Sequence, residues 1–255
     1  LMSHEPLLRE LSEVFGLQGG LVVPSGSADD KLITTLLISQ AALYFEKLLA
    51  GVKKIGLGWG DTMGRLIDEL KKQTITDLKG CFVCPVIGSA PNDIKWYQTN
   101  ELARSFAEKT GFMPYYMHAP AFPVSLKNKK LFEDTIEYKE ISNLWHDLDV
   151  VMLGIGTYPS VPDQATAARF GNLLREKKAV GMLATYYFDG DGNLIKSKDD
   201  IVIRISPADL RRAAKVIVIG GGTKKISAIR GSLKTGLVTH VITDDKTAQS
   251  LINYH

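Results

Sequence analysis

A run of residues near the start of the chain has the spacing of an anion-binding turn. Lys53 to Leu70 reads KKIGLGWGDTMGRLIDEL, a short apolar strand at Ile55–Leu57, a turn through Gly58, Trp59, Gly60, Asp61 and Thr62, and an amphipathic helix starting near Met63. Glycines at 58 and 60 let backbone amides approach a ligand with no Cβ in the way. Asp61 and Thr62 are residue types that cap helices, and a helix start carries unpaired N–H donors and partial positive charge. Such a turn suits a phosphate or another oxygen-rich group. Gly154 and Gly156 follow a second apolar run, and Gly220 to Gly222 follow a third. Lys224 and Lys225 come directly after that triplet, where a cation opposes the helix dipole and so makes sense beside a bound anion.

Other chemistries fit less well. A dinucleotide fingerprint needs G-x-G-x-x-G and an acidic residue after the following strand. Here the third glycine falls one place late, at Gly64, and the next strand ends Val86-Ile87-Gly88. No Gly-Lys-Ser/Thr completes a phosphate loop. Cys81 and Cys84 have C-x-x-C spacing, but residues three apart on a strand point to opposite faces, so they read as core thiols. The five histidines show no H-E-x-x-H pattern, and no G-x-S-x-G elbow occurs. Asp147, Asp149, Asp244 and Asp245 read as strand-edge and cap residues, Trp145 and Phe170 as core. No cofactor or metal is expected.

The elements that must position the glycine turns alternate. Helices are predicted over Glu5–Phe15, from Asp29 to about Ala50, Trp96–Lys109, Asn128–Thr135, Tyr138–Trp145, Gln164–Lys177, Pro207–Ala213 and after Thr223, with a last one opened by Asp244-Asp245. Strands are predicted at Leu21–Pro24, Cys81–Ile87, Met113–Ala119, Leu148–Ile155, Val180–Phe188, Ile201–Ile205, Lys215–Ile219 and Val238–Thr243. Asp189 to Asn193 has the composition of a hairpin turn. The near-continuous apolarity of Leu148–Ile155 suits a strand covered on both faces. The expected fold is α/β, a Rossmann-like three-layer arrangement with a parallel sheet between helices, whose ligands sit beyond the carboxyl ends of the strands.

At 255 residues, 45% hydrophobic and 23% charged, the chain has the composition of a soluble globular domain. A net charge of +3 gives no basic footprint for nucleic acid. No apolar run reaches membrane-spanning length, and no signal peptide is evident. Two cysteines in that setting suggest a reducing, cytoplasmic location.

Several short motifs then follow one another along the chain: Leu11 to Leu17, Gly58-Trp59-Gly60-Asp61-Thr62-Met63, Gln98-Thr99-Asn100, His118-Ala119-Pro120-Ala121 and Leu153-Gly154-Ile155-Gly156. They continue with Ala179-Val180-Gly181, Tyr187-Phe188-Asp189, Gly221 to Lys225 with Ala228-Ile229, and Leu237 with Val241 to Asp244. Nearly end to end, over 5–255, the chain resembles the effector-binding domain of SorC/DeoR-type bacterial sugar-responsive transcriptional regulators, which include the central glycolytic gene regulator.

The resemblance implies a fold similar to that of the phosphosugar isomerases and deaminases, used for sensing rather than catalysis. It implies a sugar or sugar-phosphate effector, a homo-oligomer (dimer or tetramer), and operator DNA read by a helix-turn-helix domain ahead of this chain and absent from it. It also implies ligand contacts at Gly58, Trp59, Gly60, Asp61, Thr62, Gly88, Gln98, Gly156, Arg169 and Lys225. The relative that senses fructose 1,6-bisphosphate has an arginine before Gly88 and an acidic residue where this chain has Met182. Without that guanidinium, which grips phosphate bidentately, and with Asp61 in place of a hydroxyl residue, a ketose or polyol of the sorbose or sorbitol type is favoured over a bisphosphate. The alternative is a sugar-phosphate isomerase or deaminase of the same fold. No membrane partner is expected.

Overall fold

The computed structural model describes residues 2–90, 95–159 and 164–253. Seven strands form one parallel sheet: β1 (Gly19–Val23), β2 (Lys54–Leu57), β3 (Phe82–Pro85), β4 (Met113–Pro114), β5 (Val150–Gly154), β9 (Lys215–Ile219) and β10 (His240–Asp244). Their order is β1-β10-β9-β5-β2-β3-β4. From β2 the chain moves outward through β3 to β4, then returns to place β5 on the other side of β2. The point where the order reverses lies between β2 and β5, and ligands in open parallel sheets collect at such a point, beyond the strands' carboxyl ends.

Alternate side chains of each central strand feed two cores. Val150, Met152, Ile217 and Ile219 pack on one face with Ile33 and Leu37 of α2 (Asp30–Leu48), Leu66 of α3 (Asp61–Glu69) and Phe106 of α4 (Thr99–Thr110). On the other face, Val151, Leu153, Val216 and Val218 pack with Leu11 of α1 (Glu5–Phe15), Ile141 of α6 (Ile136–Leu144), which follows α5 (Leu126–Glu133), and Leu210 of α9 (Pro207–Arg212). Ile229 of α10 (Ile226–Lys234) and Leu251 of α11 (Asp245–Ile252) complete that layer. Cys81 falls in the first core and Cys84 in the second, the opposite-face placement that the strand period requires. Burial pushes both thiols' pKa values up. Trp145 and Phe170 are buried.

The structure departs from the sequence reading at several elements; the helix predicted over Trp96–Lys109, for one, begins as a 3-10 turn at Lys95–Tyr97 before α4. The predicted strand Val180–Phe188 is a hairpin, β7 (Ala179–Leu183) and β8 (Tyr186–Asp189), and with β6 (Gly156–Thr157) it makes a small antiparallel sheet. The predicted helix Gln164–Lys177 is interrupted at Gly171, φ +52°, between α7 (Gln164–Phe170) and α8 (Leu173–Glu176). Predicted strand Met113–Ala119 shrinks to two residues. Beyond Pro114, the Met117 N–H donates to Asn100 Oδ1 and its carbonyl accepts from Asn100 Nδ2, so a side chain replaces the ladder. Ile201–Ile205 forms no strand; Ile203 N–H donates to Ala121 O and Ile205 N–H to Val86 O across the loop. Finally, α3 starts at Asp61 with Gly60 as its cap, so neither Asp61 nor Thr62 caps it. Gly88-Ser89-Ala90-Pro91-Asn92-Asp93 has the composition of a polar turn, and beyond Ala90 it lies outside the described residues.

Candidate functional site

Among the described residues six helices begin under a side-chain cap, from His4, Asp29, Ser125, Thr135, Ser206 and Asp244. Helices α3, α4 and α10, and the short helix Leu173–Glu176, have none, and of these α3 follows β2 directly at the switch point. Gly60 turns into α3 at φ +115°, with its own N–H given to Trp96 O at 2.8 Å. Among the described residues the amides of Asp61, Thr62 and Met63 have no acceptor. Three donors and the positive end of a helix dipole therefore face outward together.

These groups open onto a cavity of about 420 Å³ at the carboxyl ends of β2 and β5. Gly58 to Thr62 form one side of it, Leu153 to Thr157 the floor, and Lys225 reaches in from the turn before α10. A Cβ on Gly58 would stand 2.9 Å from Leu153 Cδ2, so only glycine lets the two strand ends close up here. Gly64 serves a different purpose from a third dinucleotide glycine: a Cβ there would lie 1.9 Å from Trp96 Cδ1, so the position is occupied by an aromatic ring.

The charges are sparse. Burial lowers the Lys225 ammonium pKa from its ordinary value, and Asp61 across the cavity partly offsets that. Among the described residues Lys225 makes no ion pair within 4.0 Å, whereas Asp61 stands 3.7 Å from Arg65, one helical turn on. Lys224 is exposed and outside the lining. Beside them, Asp244 Oδ2 accepts from Gly222 N–H at 3.0 Å and Asp30 Oδ1 from Thr223 N–H at 3.0 Å, which fixes the turn that carries Lys225. The Thr223 bonds hold the Asp30 carboxyl below its usual range.

Of the residues predicted from the sequence, Gly58, Trp59, Gly60, Asp61, Thr62, Gly156 and Lys225 are brought together around this cavity. Gly88, Gln98 and Arg169 are outside its lining. Gly88 packs on the backbone of Pro120 and Ala121, where a Cβ would come within 2.5 Å of Ala121 N. Gln98 begins α4. Arg169 is 7% exposed and bonded to Asp200 Oδ1 at 3.0 Å, with its guanidinium over Phe122 and Phe170. The structure adds Thr34 from α2, Tyr97, Thr157, and Met182, Ala184 and Thr185 from the β7–β8 hairpin. Thr157 directly follows a glycine-rich strand end and could have been found on that signal. The hairpin residues carry no glycine, asparagine or aspartate, so turn chemistry does not reveal them. Among the described residues no cluster of three histidine, cysteine or carboxylate side chains could hold a metal.

A sugar-binding domain family model matches residues 5–253. The chain is 28% identical over 250 residues to the deoxyribonucleoside regulator of Bacillus subtilis (strain 168), covering 95% of this chain and 78% of that protein. It is 26% identical over 256 residues to the sorbitol operon regulator of Klebsiella pneumoniae, covering 96% and 79%. The crystal structure of the full-length sorbitol operon regulator SorC from Klebsiella pneumoniae superposes with a TM-score of 0.87 at 23% identity, over 98% of this chain and 81% of that one. A DeoR family transcriptional regulator from Listeria monocytogenes gives 0.84 at 23% identity, over 97% and 98%. Those two likenesses show the α/β fold. With the family model spanning almost the whole chain, the protein belongs to the sugar-binding domain family of SorC/DeoR-type transcriptional regulators.

Proposed function

We propose that this domain senses a sugar or sugar phosphate in the cavity between β2 and β5, and that the ligand changes how a full-length oligomer holds operator DNA. The observation that carries the reading is the convergence of uncapped α3 amides, Asp61 and partly buried Lys225 on one cavity at the topological switch point. Amides and a lysine accept oxygen-rich groups, and an aspartate favours hydroxyls over a second phosphate. A ketose or polyol of the sorbose or sorbitol type, free or singly phosphorylated, therefore suits the site better than a bisphosphate. Relatives named for sorbitol and deoxyribonucleoside regulation support this class. The DNA-reading part is a helix-turn-helix domain ahead of these residues. Val124, Leu126, Leu131 and Ile136 are exposed apolar residues within thirteen positions, which supports a homo-oligomer. Differential affinity of the sugar for two arrangements of that oligomer would set DNA occupancy.

A thermal-shift screen of sorbitol, sorbose, common aldoses and their mono- and bisphosphates tests the reading. The ligand that raises the melting temperature most should lose roughly 1–3 kcal/mol of its stabilisation in Lys225→Ala or Thr62→Ala, as for a charge-assisted bond removed. No shift with any sugar, or shifts indifferent to both substitutions, would sink it. The isomerase alternative requires turnover of a sugar phosphate that disappears in Asp61→Ala; we expect none, in line with relatives named as regulators.

A further inference from the structure

The β7–β8 hairpin turns on two residues, Ala184 and Thr185, between the paired Leu183 and Tyr186. Both have positive φ, 45° and 63°. A two-residue hairpin of this hand normally uses Asn-Gly or a similar pair, and a β-branched residue in this region is an outlier. Such conformations persist only where surrounding structure enforces them, and they gather at ligand sites.

The enforcing group is Arg204. Its Nη1 donates to both Thr185 O and Thr185 Oγ1, each at 2.7 Å, and its Nη2 donates to Asp200 Oδ2 at 2.5 Å. The guanidinium lies 3.5 Å from the centre of the Tyr186 ring. Arg204, Asp200 and Arg169 are buried, with side-chain exposures of 6, 8 and 7%. A buried ion cluster thus grips the strained turn from behind while Ala184 and Thr185 line the cavity in front.

The Thr185 hydroxyl is 5% exposed as a residue, accepts from a cation, and donates to nothing among the described residues. With the guanidinium occupying a lone pair, the hydroxyl keeps its proton to give, and charge-assisted acceptance polarises that O–H. A buried donor without an acceptor is costly unless something supplies one.

We propose that Thr185 contacts the bound sugar as a hydrogen-bond donor to one of its oxygens, and that Arg204 is the positioning residue that fixes its turn and its donor role. The proposal rests on the sugar-site reading above. Titration calorimetry would use the sugar that gives the largest melting shift with the native chain. Thr185→Val keeps the branched shape and should weaken binding about three- to tenfold, the range for one hydrogen bond. Thr185→Ser should bind within about twofold, since it retains the hydroxyl. Arg204→Lys should weaken binding in the native background and change it less than about twofold in a Thr185→Val background, because a residue acting through another shows no separate effect once that partner is removed.

Native-like affinity in Thr185→Val overturns the contact, and an equal Arg204→Lys loss in both backgrounds overturns the positioning role. Should Arg204→Lys fail to fold, the Val and Ser variants at 185 still decide. If no sugar binds the native chain, the sugar-site reading fails and takes this inference with it; if sugar binds and Thr185→Val is unchanged, only the inference falls.

Discussion

On the sheet side of the cavity the chain reverses at glycine, with Gly60 at φ +115° and Gly222 at φ +90°. On the hairpin side the same sign of φ is taken by Ala184 and Thr185. The first needs no outside hold on its φ, because glycine reaches that region without steric cost. The second is held from outside, by a buried arginine that bonds the turn twice and an aspartate that anchors the arginine. The positive φ of one wall is therefore allowed by its own glycines, and that of the other is enforced by residues about twenty positions away. The two should fail differently when disturbed.

Asp200 offers the sharpest break. Asp200→Ala leaves Arg169 and Arg204 buried without their shared carboxylate. Removing one member of a buried ion cluster costs about 3–5 kcal/mol, far above anything a surface pair contributes. Urea unfolding should show that loss, and the survivors should bind sugar poorly because the turn is released. A cost below 1 kcal/mol would mean that the turn stands without the cluster, and the contrast between the walls would collapse.

The far rim of the sheet gives a region whose response should spare both walls. His240 opens β10 at the amino end, opposite the cavity, and is 6% exposed. Burial, with Lys215 nearby, lowers its pKa to about 4. The unfolded chain, with a histidine near 6.5, takes up the proton first as pH falls. The histidine's contribution to stability is then constant above about pH 6.5 and is lost as pH falls from 6.5 to 4, a loss on the order of 3 kcal/mol. The difference between native chain and His240→Asn across that window isolates the residue, and identical pH profiles would contradict its buried neutral state.

Gly60→Ala probes the glycine wall alone. A Cβ at Gly60 meets nothing within 4 Å, so no clash confuses the result. What remains is the backbone, and holding a non-glycine residue in so sparse a region costs about 1–3 kcal/mol. Chemical denaturation measures it directly. A negligible cost would show that the turn relaxes to another conformation, and the α3 amides would then lose their aim on the ligand.

The comparison also explains what could be read in the chain beforehand. Strands such as Leu148–Ile155 and Lys215–Ile219 show in the sequence as apolar runs, and the strand period alone turns Cys81 and Cys84 to opposite faces. The glycine turns at 58–62, 154–156 and 220–222 were visible because their local chemistry is the reason for their shape. The hairpin was not, since Val180 to Phe188 is a nearly unbroken apolar and aromatic run that reads as one strand and Ala184-Thr185 carries no turn signature; its cause lies at Arg204. Likewise Asn100, by bonding the Met117 backbone, ended a strand that composition alone extends to Ala119. Arg169 sits against Asp200 rather than in the cavity lining, a placement decided by a partner 31 residues away.

The smallest effect tests the hairpin wall with the reverse substitution. Ala184→Gly relieves left-handed backbone that costs an L-residue about 1–2 kcal/mol. Against this, glycine adds about 0.5–1 kcal/mol of unfolded-state freedom, and the lost methyl, 7% exposed as a residue, gives up about 0.8 kcal/mol of burial. These terms nearly cancel, so the unliganded stability should move by less than about 1 kcal/mol, while Gly60→Ala moves it further and only downward. A loss above about 2 kcal/mol in Ala184→Gly would mean that the methyl packs more than the strain costs. Arg204 would then be gripping a turn that its own side chains already hold, and the distinction between a wall shaped locally and a wall shaped from a distance would have to be given up.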